Sequence, residues 1–312
     1  MTDSHRRARR PGGRPTSNPF GTTRAGRWAP AVTMAPGLLL FALFGLIPAV
    51  AVIGMSFTNI SGMPNVPWEW TGLDNYRRFF SAGAAAANMS VIVRTIVFAF
   101  SVTVILNALA LFIAIILNRR LPGAAIARSI VFMPVAFGVT VVGLVWSLML
   151  NPTGGPAASL WEIFGARSAF LGDPRLAFPL IILVQIWAAI GTTMMIYHAG
   201  LQAVPDDLYE AATVDGANAA QRVRHVTIPM VAPSITANMI ISIVGSLQTY
   251  QIIYVLTGDR PTTSVLAMQI FSLGFGSSEQ GYAAAVSMVQ FVLVAVVALV
   301  FLAYLRRRET QL

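Results

Sequence analysis

The chain has 312 residues, 56% of them hydrophobic and only 11% charged, with a formal net charge of +9 and a mean hydropathy of +0.69. Soluble domains carry roughly 25% charged residues, so an ordinary water-soluble core is excluded. There is no cysteine, which removes disulfides, thiolate metal sites and cysteine nucleophiles. All 21 basic residues are arginine, which removes a P-loop lysine and a Schiff-base lysine; if ATP drives this chain, another chain hydrolyses it.

Residues 1–30 hold seven arginines among Pro, Gly, Ser and Thr, and with too little apolar surface to fold alone they are expected to be a disordered basic tail. The run "MAPGLLLFALFGLIPAVAVIGMSF" from Met34 to Phe57 is too long for the core of a cleaved signal peptide and reads as an anchoring first span. Further apolar runs follow at roughly 89–117, 127–150, 176–200, 233–256 and 282–305. Each is long enough to cross a hydrocarbon layer about 30 Å thick at about 1.5 Å per helical residue. The expected fold is therefore an all-α integral membrane protein of about six spans, with residues 31–312 as one transmembrane domain.

Arginines cluster at the ends of these runs, the pattern left by membrane orientation and not by a nucleic-acid face. The bias puts the N-terminal tail, residues 118–128, residues 201–231 and the C-terminal "RRRETQL" on the cytoplasmic side, so both termini lie inside. Arg94, near the outer end of the second span, is expected to snorkel outward. His198 has no nearby His or carboxylate in the sequence, so no metal is expected there. No GxSxG elbow, HExxH or paired-carboxylate constellation offers an intramembrane enzyme its machinery.

Polar residues within spans are costly against lipid and face a cavity or a partner helix. The candidates for a solute pathway are Asn107, Gln185, Trp187, Gln248, Tyr250, Gln251 and Tyr254. Side-chain amides and aromatic rings suit a neutral polyol, offering donors, acceptors and a stacking face. Helix–helix hydrogen bonding is the alternative use of each. No arginine lies at mid-membrane depth, which disfavours an anionic solute.

Between the fourth and fifth spans lies "VPDDLYEAATVDGANAAQRVRHVTIPMVAP", unlike its surroundings. Pro205 with Asp206 and Asp207 opens a short helix whose carboxylates oppose the positive end of its dipole. Gly216 permits a sharp turn, and a second short helix follows until Pro229 and Pro233 open the next span. Two small-residue helices around a glycine make a compact docking handle, with Glu210, Arg222 and Arg224 at its rim. An amphipathic linker is the plainer use of the same residues.

The spacing Glu210-Ala211-Ala212, three residues, Gly216, nine residues, Val226, one residue, Ile228-Pro229 resembles the EAA motif of ABC importer permeases. The pieces "APGLLLFALFGLIPAVAVIGMSFTN", "WTGLDNYRRFF", "LQAVPDDLYEAATVDGA" and "GYAAAVSMV" extend the resemblance to the carbohydrate branch of binding-protein-dependent permeases over nearly the whole chain. The resemblance implies a type I importer half, with a coupling helix at about 217–225 inserted into a cytoplasmic ATPase. It further implies that Gly216 is the turn, that Glu210 is a polar contact fixing the helix pair, and that Asp215, Arg222 and Arg224 lie near the ATPase.

Implied partners are two ATPase subunits or one ATPase homodimer, a second homologous permease, an extracytoplasmic solute-binding protein and the bilayer. ATP and Mg belong to the ATPase, and this chain is expected to hold no cofactor. The implied location is the bacterial inner membrane. "TGDRPTTS" departs from the family's usual turn after the fifth span, and Gln251 stands where many relatives carry aspartate. The expected function is ATP-driven import of a sugar or oligosaccharide; an ion-gradient-driven transporter of a small polar solute is the alternative, although the carboxylates lie in loops and not in spans.

Overall fold

The computed structural model describes residues 24–118, 122–164 and 168–309. The expected basic tail lies outside the described residues as far as residue 23, and helix begins at Arg24. The chain divides into two units, residues 1–52 and 53–312. In the first, α1 (Arg24–Phe41) passes through one π-helical turn (Ala42–Leu46) into α2 (Ile47–Met55). Residues Ala31–Met55 form a stretch long and apolar enough to cross a membrane, and its most apolar window has no buried residue.

The second unit is built from helices, with one isolated antiparallel bridge, between Thr58 and Trp70, among the described residues. After α3 (Asp74–Phe80) comes α4 (Ala82–Leu117), whose 36 residues extend about 54 Å. Helices α5 (Ala124–Phe132) and α6 (Val139–Met149) are joined by a 3-10 turn (Met133–Ala136), then α7 (Pro156–Ile163) and α8 (Ala177–Gln202) follow. The handle comprises α9 (Asp206–Val214), α10 (Ala219–Arg222) and α11 (Ile228–Met230). Beyond it lie α12 (Ala232–Leu247), α13 (Gln251–Thr257), α14 (Leu266–Phe271) and α15 (Gln280–Glu309). Among the described residues four helices are long and apolar enough to span a membrane, and six spans result if each of two bent pairs counts as one.

Two spans depart from straight rods in different ways. The third bends by 98° between Ala136 and Val139, because the backbone is extended at Phe137 and Gly138 just after Pro134. The fifth, expected as one helix over 233–256, is two: α12 ends at Leu247 and α13 starts at Gln251. At the handle, Pro229 does not end the second helix as expected. A π-helical turn (Val223–Thr227) carries the helix past it, since a wider turn accommodates the missing N–H and the ring.

Helix α4 is the axis of the packing. Ala99, Ala110 and Ala114 on it are fully buried, and small residues there let α8 and α12 approach closely. Gly191 of α8 does the same against α5, since a Cβ there would lie 2.8 Å from the Phe132 Cα. Phe98, Val102, Ile181, Val184, Ile252 and Ile253 form one buried cluster joining α4, α8 and α13. In a bilayer such a cluster holds by close packing and interhelical hydrogen bonds, because lipid tails are as apolar as the side chains themselves.

Candidate functional site

Two places depart from apolar regularity: the break between α12 and α13, and the handle. At the break the chain leaves α12 in a tightened turn, with the Gln248 N–H on the Gly245 carbonyl at 3.2 Å and the Thr249 N–H on that of Ser246 at 3.3 Å. The Leu247 carbonyl, released from helical pairing by the break, accepts a hydrogen bond from Gln290 Nε2 of α15 at 3.1 Å. Tyr250 stacks on Phe271 of α14 with ring centroids 5.0 Å apart and planes 22° apart, and Tyr254 meets the same ring at 5.2 Å.

Beside these contacts lies a cleft of about 260 Å³ lined by Gln185, Gln248, Thr249, Tyr250 and Gln251, with Val139 and Gly245. No charged side chain lines it. Three side-chain amides, a hydroxyl and a phenol supply both donors and acceptors in a small volume. Four of the seven pathway candidates therefore converge here. Thr249, which the sequence did not single out between Gln248 and Tyr250, joins them.

The other three candidates sit elsewhere. Asn107 is buried, donating to the Thr103 carbonyl at 2.8 Å and to Ser242 Oγ at 3.1 Å while accepting from the Tyr197 hydroxyl at 2.7 Å. It ties α4 to α8 and α12 and lines none of the cavities described here. Trp187 packs edge-on against Trp146 at 5.6 Å, and Tyr254 lies beside Phe271 outside the cleft lining. Two larger grooves, about 510 and 600 Å³, run along α15 and have mainly apolar walls.

The handle is a local construction. Gly216 has φ +79°, a left-handed conformation that a side chain resists, although open space surrounds its missing Cβ. Asn218 and Gln221 form a reciprocal capping box at the start of α10, each side chain satisfying the other's backbone N–H. Arg222 Nη1 donates to Thr213 Oγ1 at 2.8 Å, and the hydroxyls of Tyr209 and Thr227 pair at 3.1 Å.

Those two contacts, not Glu210, fix the helix pair. Glu210 is exposed and forms no hydrogen bond or ion pair among the described residues; pointing to solvent, it meets no donor on the second helix. Ala211, Asp215 and Arg224 are exposed as well, while Ala212 is half-buried. Val214 is 88% exposed, an apolar residue at the tip of a polar handle that the sequence did not single out. Behind the handle a notch of about 310 Å³ is lined by Ile115, Leu201, Tyr209, Arg222 and Thr227. The exposed tip thus stands on a base ordered by its own hydrogen bonds.

Among the described residues no group of three or more His, Asp or Glu could hold a metal ion. His198 meets Arg128 Nη1 at 2.7 Å through Nε2, a contact with a cation and not with a ligand-bearing carboxylate.

The family described as "binding-protein-dependent transport system inner membrane component" matches residues 80–311. A trehalose/maltose transport system permease protein of Thermococcus litoralis is 33% identical over 274 residues, covering 86% of this chain and 90% of that one. An arabinooligosaccharides transport system permease protein of Bacillus subtilis is 29% identical over 282 residues, covering 88% and 87%. In fold, the chain is similar to a crystal structure of a bacterial ABC transporter involved in the import of the acidic polysaccharide alginate, with a TM-score of 0.77 at 22% identity, covering 91% of this chain and 96% of that chain.

Proposed function

We propose, from the premise that this chain belongs to the family of binding-protein-dependent transport system inner membrane components, that it carries a neutral sugar or oligosaccharide across the membrane through the cleft at the α12–α13 break. The chain is a multi-pass inner-membrane permease subunit and not an enzyme. Family membership removes the ion-gradient-driven alternative. The observation that carries the choice of solute is the cleft itself, where Gln185, Gln248 and Gln251 stand beside Tyr250 with no charged side chain in the lining. Amides pair with hydroxyls as donor and acceptor alike, and a phenol ring offers a face to a sugar's C–H surface. Relatives named for trehalose and maltose, arabinooligosaccharides and multiple sugars support the same class.

On this proposal the handle is the coupling segment. Ala211, Ala212, Asp215, Gly216, Arg222 and Arg224 present it to a cytoplasmic ATPase, and Glu210 serves from its exposed position as a contact with that partner. Val214 adds an apolar anchor at the tip. ATP and Mg are bound by the ATPase pair, a second homologous permease completes the membrane part, and an extracytoplasmic binding protein delivers the solute. A solved relative supports this last partner, having been crystallised with an alginate pentasaccharide-bound periplasmic protein. Both termini face the cytoplasm, as the arginine distribution supports.

The test is transport by the complex purified from its host. Gln251→Ala is expected to lower solute uptake severalfold while recovery of the ATPase and second permease with the tagged chain stays unchanged. An uptake rate equal to that of the parent would remove Gln251 from the pathway.

A further inference from the structure

Helix α13, residues 258–265 and α14 form a hairpin that returns into the bundle, and the outer third of α4 holds it by three hydrogen bonds. Arg94 Nε donates to the Ser264 carbonyl at 3.0 Å. The backbone N–H of Leu266, the first residue of α14, donates to Thr95 Oγ1 at 2.9 Å. Gln269 Nε2 donates to Asn88 Oδ1 at 3.0 Å. Asn88 and Thr95 are two helical turns apart and so share a face of α4, and Val91 between them packs in one cluster with Leu266.

The position of these contacts gives them leverage on the cleft. Ser264 and Leu266 are buried, and a first-turn N–H has no partner in its own helix. In an apolar surrounding such a group must be satisfied by a neighbour, and here the neighbour is Thr95. If α14 moves off α4, that N–H and the Ser264 carbonyl lose their partners together, so the contact is either made or broken. At the far end of the same short helix Phe271 stacks on Tyr250, a wall of the cleft. The tip of the hairpin has its own anchor, Arg260 Nη1 on the Leu171 carbonyl at 2.7 Å.

We propose that Arg94 and Thr95 are positioning residues forming a latch: by holding the α14 hairpin on α4 they keep Phe271 against Tyr250 and the cleft closed toward the extracytoplasmic side. Arg94 then does more than carry its charge toward the interface. The proposal rests on the cleft being the solute pathway, and the test separates the two.

The native chain has no cysteine, so Thr249→Cys places a single thiol of this chain in the cleft. The whole complex is prepared in right-side-out vesicles and treated with a membrane-impermeant maleimide in the absence of solute. Arg94→Met and Thr95→Val are each expected to raise the labelling rate about fivefold, the factor by which loss of one ordinary hydrogen bond shifts an opening equilibrium. Thr95→Ser, which keeps the acceptor, is expected to restore the parent rate.

If Arg94→Met does not assemble, Arg94→Gln, whose shorter amide cannot keep the same reach, replaces it under the same expectation. Unchanged labelling in assembled Arg94 and Thr95 variants would overturn the latch even if Gln251→Ala impairs uptake. A raised labelling rate together with parent uptake in Gln251→Ala would keep the latch and sink the pathway.

Discussion

The handle and the helix break solve opposite problems by opposite means. The handle is made from neighbours: its capping box spans three residues, Arg222 reaches Thr213 nine residues back, and Tyr209 reaches Thr227 over eighteen. The break is made from afar, with the Leu247 carbonyl satisfied by Gln290 over 43 residues and Gln185 contributed by a different helix. A device built from local contacts keeps its shape while the bundle rearranges around it, as a docking part must. One built from distant contacts changes whenever the bundle does, which suits a gate.

That contrast is most exposed at Gly216. Gly216→Val puts a β-branched residue at φ +79°, at a cost of about 1–2 kcal/mol or more in local conformation. Solute-stimulated ATP hydrolysis of the purified complex is expected to fall at least about tenfold, the factor corresponding to about 1.4 kcal/mol, while the unfolding temperature of the membrane domain hardly moves. Equal loss of both would mean that the handle is not a separable part.

Gln290→Leu attacks the break. It leaves the Leu247 carbonyl without its donor, but also removes Gln290 Oε1, a buried acceptor that itself has no partner. With those two effects opposed, a net loss of about 1 kcal/mol is expected, seen as a lower unfolding temperature in detergent together with slower uptake. Slower uptake at unchanged stability would show that the break does not depend on the bundle. The smallest effect is reserved for Arg222→Ala, which removes one partly exposed hydrogen bond worth about 0.5 kcal/mol; uptake should drop by about twofold. A much larger loss, measured in the same assay, would point to direct contact of Arg222 with the ATPase.

The same contrast explains what could be read from the sequence. The spans stood out as apolar runs, and the handle as a polar interruption with its own glycine, caps and motif spacing. The break did not, because residues 248–250 contain neither proline nor glycine, and its partners, Gln290 and Phe271, are distant in the chain. Asn107 shows the converse: a polar residue in a span signals a partner, but only the packing of Tyr197 and Ser242 around it says that the partner is another helix. Arg94's contact with Ser264 was equally out of reach, since nothing in "VIVRTIV" indicates which loop folds back on it.

The 69° bend between Ala219–Met230 and Ala232–Leu247 has a mechanical meaning. Two hydrogen bonds flank it, from the Val231 N–H to the Thr227 carbonyl and from the Ile235 N–H to the Val231 carbonyl, both 3.0 Å, although Pro233 brings no N–H to the turn, and Val231 is buried. The two segments form a crank about Val231, with arms of about 18 and 24 Å at 1.5 Å per residue. A push on the short arm sweeps the end of the long arm sideways by at least as much. That end is Leu247, so on the proposed coupling role a push on the handle arrives at the break as a wider sideways movement, with its direction turned.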